Sequence, residues 1–498
     1  MKGILSPEAI SRINRSSARV ENIISGDKAV YGINTGFGPL CTTIIEQSKL
    51  SQLQHNILLS HSVGVGPNLD DEVVKLMLVL KIHSLSKGHS GIRLEVIKWM
   101  MWMLEAGMVS VVPSQGSVGA SGDLAPLAHL FLPLIGEGKV KWKGEVVDSG
   151  FVLKKLEKLP LDLAPKEGLA LINGTQFILA HAVQLVERFY NILAYADFSA
   201  AMMIEGLKGS ASPFRRELHE LRPYPGNVHV AHRLWTLIKG SEINESHIGC
   251  NRVQDPYSLR CVPQVHGTSR DVWLHLKERV EIELNAVTDN PIMLEDGNAV
   301  SGGNFHGQPL ALPLDYAALA LSEIGNISDR RIYLAMMGQS EGVPKLLLSE
   351  TGVNSGFMIV QYTSAALASE NKALCFPASA DSIPTSMGQE DHVSMGSISG
   401  RKAMQVASNV EKILAIEFMC ACQALDFAAP YKPHPYLQGI HDIVREKIPF
   451  AEKDRNFGDD INNMIQLIDQ LILLNFIKSN HDRYEDIRSP YHNLFEVY

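Results

Sequence analysis

The chain has 498 residues, 45% of them hydrophobic and 20% charged, and a formal net charge of −9. That composition suits a globular protein with a large core, and the scatter of its lysines and arginines argues against nucleic acid or an anionic membrane as partner. No run reaches the roughly 18 apolar residues of a membrane span, and the first residues lack the apolar core of a secretion signal.

The six cysteines (Cys41, Cys250, Cys261, Cys375, Cys420 and Cys422) form no CxxC pair, so reduced thiols in a cytoplasmic protein are expected. In chain order, Ser6-Pro7-Glu8 offers an N-cap, a proline at the first helical position and an early acid, ahead of Ile10, Ile13, Val20 and Ile23 at helical spacing. Polar, glycine-rich breaks follow at 32–39 and 114–123, and KVKWKGEVV (139–147) reads as a hairpin about Lys143-Gly144. Further breaks lie at 173–176 and 301–307, and a helix is expected from Leu314 to Met337. The break at 386–400 leads into the clearest helix, Arg401 to Asp426, where Met404, Ala407, Val410, Leu414, Glu417, Ala421 and Leu425 share a face. One more helix is expected through DDINNMIQLIDQLILLNF, 459–476. The expected fold is mainly α: a mixed N-terminal region, 1–190, then a bundle of long helices, 191–498.

The stretch GSVGASGDLAPLAHL (116–130) places three glycines, two serines and an alanine within seven residues, before an acid and an apolar run. A P-loop needs a lysine where Asp123 stands, GxGxxG does not fit, and no convincing strand precedes the stretch. Gly119-Ala120-Ser121-Gly122-Asp123 misses the nucleophile elbow GxSxG by its last residue. Dense apolar sequence on both sides argues against a flexible linker. A further option is self-condensation: the Gly122 nitrogen, unhindered by a Cβ, attacks the Ala120 carbonyl, and loss of the Ser121 hydroxyl leaves an electrophilic methylidene.

GSVGASGDLAPLAH resembles the cofactor loop of the aromatic amino acid ammonia-lyase family. YGINTGFG (31–38), LSHSVGVG (59–66), EGLALINGTQ (167–176), QDPYSLRCVPQ (254–264), SGGNFHG (301–307), GVNSGFMI (352–359) and GQEDHVSM (388–395) also resemble family segments, in the family's order. The resemblance runs from about Lys28 to Asp426. It implies the long-helix ammonia-lyase fold, which is fumarase/aspartase-like. It also implies 4-methylidene-imidazol-5-one (MIO) formed autocatalytically from Ala120, Ser121 and Gly122, with no external cofactor, and a homotetramer with active sites shared between subunits. Glu390 and His392 in GQEDHVSM resemble the histidine-acting branch, and Ser60-His61 does so more weakly. The implied reaction is elimination of ammonia from L-histidine to trans-urocanate, the first step of histidine breakdown towards glutamate. The alternatives are a tyrosine or phenylalanine lyase or an aminomutase on the same group, and, in another class, an inert helical protein.

By the same resemblance Tyr31 is the base for the β-proton. A free phenol has a pKa near 10, so half-ionisation at pH 7 needs about 4 kcal/mol of stabilisation, more than the ~2 kcal/mol a helix N-terminus supplies. Arg260 is the implied fork for the substrate carboxylate. Asn173, Gln254 and Tyr257 belong to the polar set around MIO and the carboxylate, and Phe305 stands beside the prosthetic group. His61 and Glu390 are the implied readers of the imidazole: a desolvated Glu390 facing a phenyl ring would lose its partner. Phe177 and Pro39 depart from the usual pattern and bear on packing and lid mobility. No HExxH occurs and the other histidines (His266, His275, His434 and His441) lack ligand spacing, so no metal is expected.

Overall fold

Ser6 opens the first helix as its sequence predicts: its hydroxyl oxygen accepts from the Ala9 N–H at 3.2 Å, and Pro7 takes the first helical position. The helix runs Pro7–Ile24 and buries Ile13 and Val20. These features come from a computed structural model that describes residues 3–26, 29–41, 43–250, 252–480 and 488–495, so Lys28, where the resemblance begins, lies outside the described residues. The chain is mainly α, with few and short strands. It divides into two compact units: 1–184 with 278–315 and 377–401, and 185–277 with 316–376 and 402–498. The sequence suggested consecutive stretches divided at 190; the units are instead discontinuous, because 278–315 and 377–401 return to the N-terminal one.

In that first unit the helices Leu50–His61, Leu124–Phe131 and Glu167–Ile172 pack on one another. Their ends set the site: the first finishes at His61, the second starts just after Gly122, and the third stops at Asn173. The hairpin forms as expected. Lys139–Trp142 pairs with Glu145–Asp148, and both turn residues, Lys143 (φ 53°) and Gly144 (φ 87°), are left-handed, as a tight two-residue hairpin requires. A strand does precede the glycine stretch: Pro113–Gln115, paired antiparallel with Val65–Asn68. It escapes a reading by alternation because it is only three residues long.

Three expected helices have different ends. The 386–400 break is helical from Gly396, and the helix runs on to Asp426. Its two glycines serve proximity: a Cβ on Gly396 would lie 2.8 Å from Ile178 Cδ1, and one on Gly400 would lie 3.0 Å from His181 Cβ. The helix expected from Leu314 starts earlier and spans Gln308–Met336, with Pro313 inside its early turns. The C-terminal helix is two, Phe457–Asp469 and Ile472–Asn480, divided where Leu471 turns left-handed at φ 56°.

The second unit buries charge along its helices. Asp197 meets Arg270 at 2.5 Å, Arg233 at 3.2 Å and His266 Nδ1 at 2.9 Å, while Glu417 is paired with Arg331 and accepts from Ser199 at 2.9 Å. No described helix is long and apolar enough to cross a membrane.

Candidate active site

The tripeptide is held on both flanks. Asn173 Nδ2 donates to the Ser121 carbonyl at 2.7 Å, and the Asp123 N–H donates to the Gly174 carbonyl at 2.8 Å. Between these bonds Gly122 (φ 75°) lies so close to Gly174 that a Cβ would sit 2.1 Å from its carbonyl oxygen. Only glycine fits there. Upstream, Ser394 Oγ donates to the Gly119 carbonyl at 3.1 Å and Ser397 Oγ to the Ser117 carbonyl at 2.6 Å.

Asp123 fixes the downstream end. Fully buried, its carboxylate accepts from the Phe177 and Ile178 N–H groups, both at 3.0 Å, at the start of the helix Gln176–Gly206. Burial pushes this carboxyl up to about 7, against those donors, the Ser117 hydroxyl and Lys81. Behind Asn173 stands Lys81, 1% exposed, donating to the Asn173 carbonyl at 2.5 Å. Burial brings its ammonium down to about 7, opposed chiefly by Asp289, which itself pairs with Lys166 at 2.8 Å.

A cavity of about 730 Å³ opens over the tripeptide. Tyr31 and Pro39 line it from the N-terminal loop and His61 from its helix end. Ala120, Ser121 and Asn173 also line it, as do Phe305, His306, Glu390 and His392. Glu390 Oε1 accepts from Ser121 Oγ at 2.6 Å, and its Oε2 accepts from Thr385 Oγ1 at 2.8 Å and Ser386 Oγ at 2.9 Å. His306 and His392 stack with ring centroids 5.5 Å apart.

Of the residues singled out in the sequence, Tyr31, His61, Ala120, Ser121, Asn173, Phe305 and Glu390 meet at this cavity, and Gly122 lies directly beneath. Gln254, Tyr257 and Arg260 are not among its lining. They form a group of their own in the second unit: the Arg260 guanidinium donates to Gln254 Oε1 and to the Asp255 carbonyl, both at 3.0 Å, and lies 4.6 Å from the Tyr257 ring centre. Tyr257 is 71% exposed. Phe177 is buried against His181 and contributes its N–H, not its ring, to the loop.

The electrostatics of Tyr31 run opposite to what a base needs. Burial pushes its phenol above the ordinary value, and Glu390 and Cys41 add to that, with a Gly38 backbone bond opposing. Burial lowers the His61 imidazole and keeps it neutral, against Ile57 and Glu390.

The residues fit an MIO group. Gly122 is held in a loop with no room for a Cβ, so its nitrogen carries no side chain to hinder attack, and Asn173 Oδ1 is buried with no hydrogen-bond partner, leaving an acceptor open beside the tripeptide. Lys81, Thr385 and Ser386 are site residues not apparent from the sequence. Lys81 leaves one trace there, a lone cation in the apolar run LMLVLKIHSL. Among the described residues no cluster of three His, Cys, Asp or Glu could hold a metal.

The family model described as aromatic amino acid lyase matches residues 2–446. A histidine ammonia-lyase of Myxococcus xanthus is 45% identical over 476 residues, 95% of this chain and 94% of that protein. A crystal structure of histidine ammonia-lyase from Trypanosoma cruzi is 42% identical and superposes with a TM-score of 0.90 over 100% of this chain and 94% of that one. The tyrosine aminomutase of Streptomyces globisporus also reaches 0.90, at 34% identity, over 96% of this chain and 94% of that one.

Proposed function

The chain belongs to the aromatic amino acid lyase family, and from that premise we propose that it is a carbon–nitrogen lyase that eliminates ammonia from L-histidine to give trans-urocanate, the entry into histidine breakdown towards glutamate. The observation that carries the histidine reading is Glu390, a carboxylate fixed by two hydroxyls and aimed at the tripeptide in the cavity that His61 also lines. A phenyl or phenol ring there would leave Oε1 without a partner, and a site built for a polar group rejects an analogue lacking it by ~10⁴–10⁵. Backbone likeness does not separate the candidates, since a tyrosine aminomutase shares the fold equally well; the side chains at the ring end do.

Ala120, Ser121 and Gly122 are the precursors of MIO, which would supply an electrophile that turns the amine into a better leaving group. The chain's own residues do the rest. Asn173 polarises the Ser121 carbonyl and offers its open Oδ1 to the substrate's ammonium. Tyr31 takes the β-proton, and Phe305 packs beside the group. His61 and Glu390 hold the imidazole.

Arg260 forks onto the substrate carboxylate, with Gln254 and Tyr257 beside it. We take these three, which do not line the cavity within one chain, to act from another subunit of a cytoplasmic homotetramer, as the family resemblance implies.

The test offers L-histidine, L-tyrosine and L-phenylalanine to the purified protein. Ultraviolet-absorbing urocanate from histidine alone is expected; turnover of tyrosine with none of histidine would overturn the reading. Intact mass should be lower than the translated sequence by two waters.

A further inference from the structure

The two oxygens of Glu390 have different tasks. Oε2 is tied to its own loop by the Thr385 and Ser386 hydroxyls. That loop closes through the Thr385 N–H on the Glu390 carbonyl at 2.9 Å, and it runs through Ser386 (φ 49°) and Met387 (φ 55°), both left-handed without being glycine. Such backbone is unfavourable and persists only where its surroundings impose it; here it delivers two donors to one oxygen. Oε1 is thereby aimed at the Ser121 hydroxyl, 2.6 Å away, which is the group that condensation must expel.

We propose that Glu390 acts on the tripeptide before it ever meets substrate, as the proton carrier for loss of the Ser121 hydroxyl. The inference rests on the reading that residues 120–122 condense. In ring closure the Gly122 nitrogen bonds to the Ala120 carbonyl carbon, and that oxygen leaves as water with the amide protons of Ser121 and Gly122. Glu390 has no part in that step. In the second step the Glu390 carboxylate takes the Ser121 Cα proton, the electron pair of that Cα–H bond forms the Cα=Cβ bond as the Cβ–Oγ bond breaks, and the proton passes from Glu390 to the departing Oγ. One water leaves and Glu390 is unchanged. The Asn173 amide on the adjoining carbonyl, at 2.7 Å, makes that Cα–H more acidic. With Oγ gone, Oε1 is open, and the oxygen that served maturation is the one left to meet the imidazole.

Intact mass tests this without reference to turnover. Wild-type protein lighter by two waters supports condensation of the tripeptide; full mass in wild type sinks that reading and this one together. In folded Glu390→Ala and Glu390→Gln protein, isolated by size-exclusion chromatography, we expect the loss of one water, with fewer than a tenth of molecules missing the second. Glu390→Asp, which withdraws the carboxyl by one methylene and disturbs the loop least, should lose the second water at least tenfold more slowly after synthesis. Variants that shed both waters as completely and as fast as wild type would overturn the proposal, as would variants that shed neither, since Glu390 would then act in ring closure.

Discussion

Two buried charge clusters, one in each unit, make opposite use of the same residue types. Asp197 in the second unit is surrounded by Arg270, Arg233 and His266, and against the cost of burial the two guanidinium groups and the His266 hydrogen bond hold its carboxyl below the ordinary range. Asp123, equally buried, has neutral donors as its direct partners and rises to about 7, while Lys81 falls to about 7. Asp197 is locked in one charge state by ion pairs; Asp123 and Lys81 are poised near neutrality. A buried group that titrates near working pH is able to exchange protons, whereas a carboxylate locked far from it by ion pairs is most often structural. Damage at the tripeptide and its supports should therefore appear in the reaction, and damage at the Asp197 cluster in stability.

The most drastic way to break that contrast is Ser121→Ala. We expect urocanate formation to fall to background with the melting temperature essentially unchanged; retained turnover would show that the tripeptide is not the reacting centre. Tyr31→Phe should lower kcat by ~10²–10⁴-fold, the usual worth of a positioned proton acceptor, with little change in KM; steady-state kinetics on histidine decides. In the other unit, Asp197→Ala removes one partner of a buried set and should cost about 3–5 kcal/mol in urea unfolding, while turnover per folded molecule stays within about twofold. The subtlest probe is pH. A carboxyl raised in the folded state keeps a proton that the unfolded chain has lost, so its share of stability declines as pH climbs from about 4 to about 7. Asp123→Asn should flatten melting temperature against pH in that window, and a slope equal to wild type would contradict the assignment. Asp197, depressed, contributes above the ordinary carboxylate range and loses that share only as pH falls below it.

What was legible in the sequence follows from range. The cap at Ser6, the hairpin about Lys143-Gly144 and the apolar face of 401–426 are local patterns, and the structure has all three. The cavity loops were legible as segments because their compositions resemble known ones. Their meeting was not: Ser121 and Glu390 are 269 positions apart, and no local rule sets a 2.6 Å bond between them. Leucine at 471 gives no warning of a left-handed turn, so the final helix was read through it. Gln254, Tyr257 and Arg260 show the converse: the resemblance assigns them to the site, but within the single chain they are not part of the cavity lining.

The glycines at 396 and 400 carry a practical consequence for anyone seeking a hardier catalyst. Replacing helical glycine by alanine is a common route to thermal robustness and gains roughly 0.8–1 kcal/mol where the new methyl has space. Here the methyl would meet Ile178 Cδ1 at 2.8 Å or His181 Cβ at 3.0 Å, so a neighbouring side chain has to shift before that gain is realised. A redesign that ranks each helix by propensity alone would choose these two positions without counting that shift, so both call for a check of the surrounding packing first.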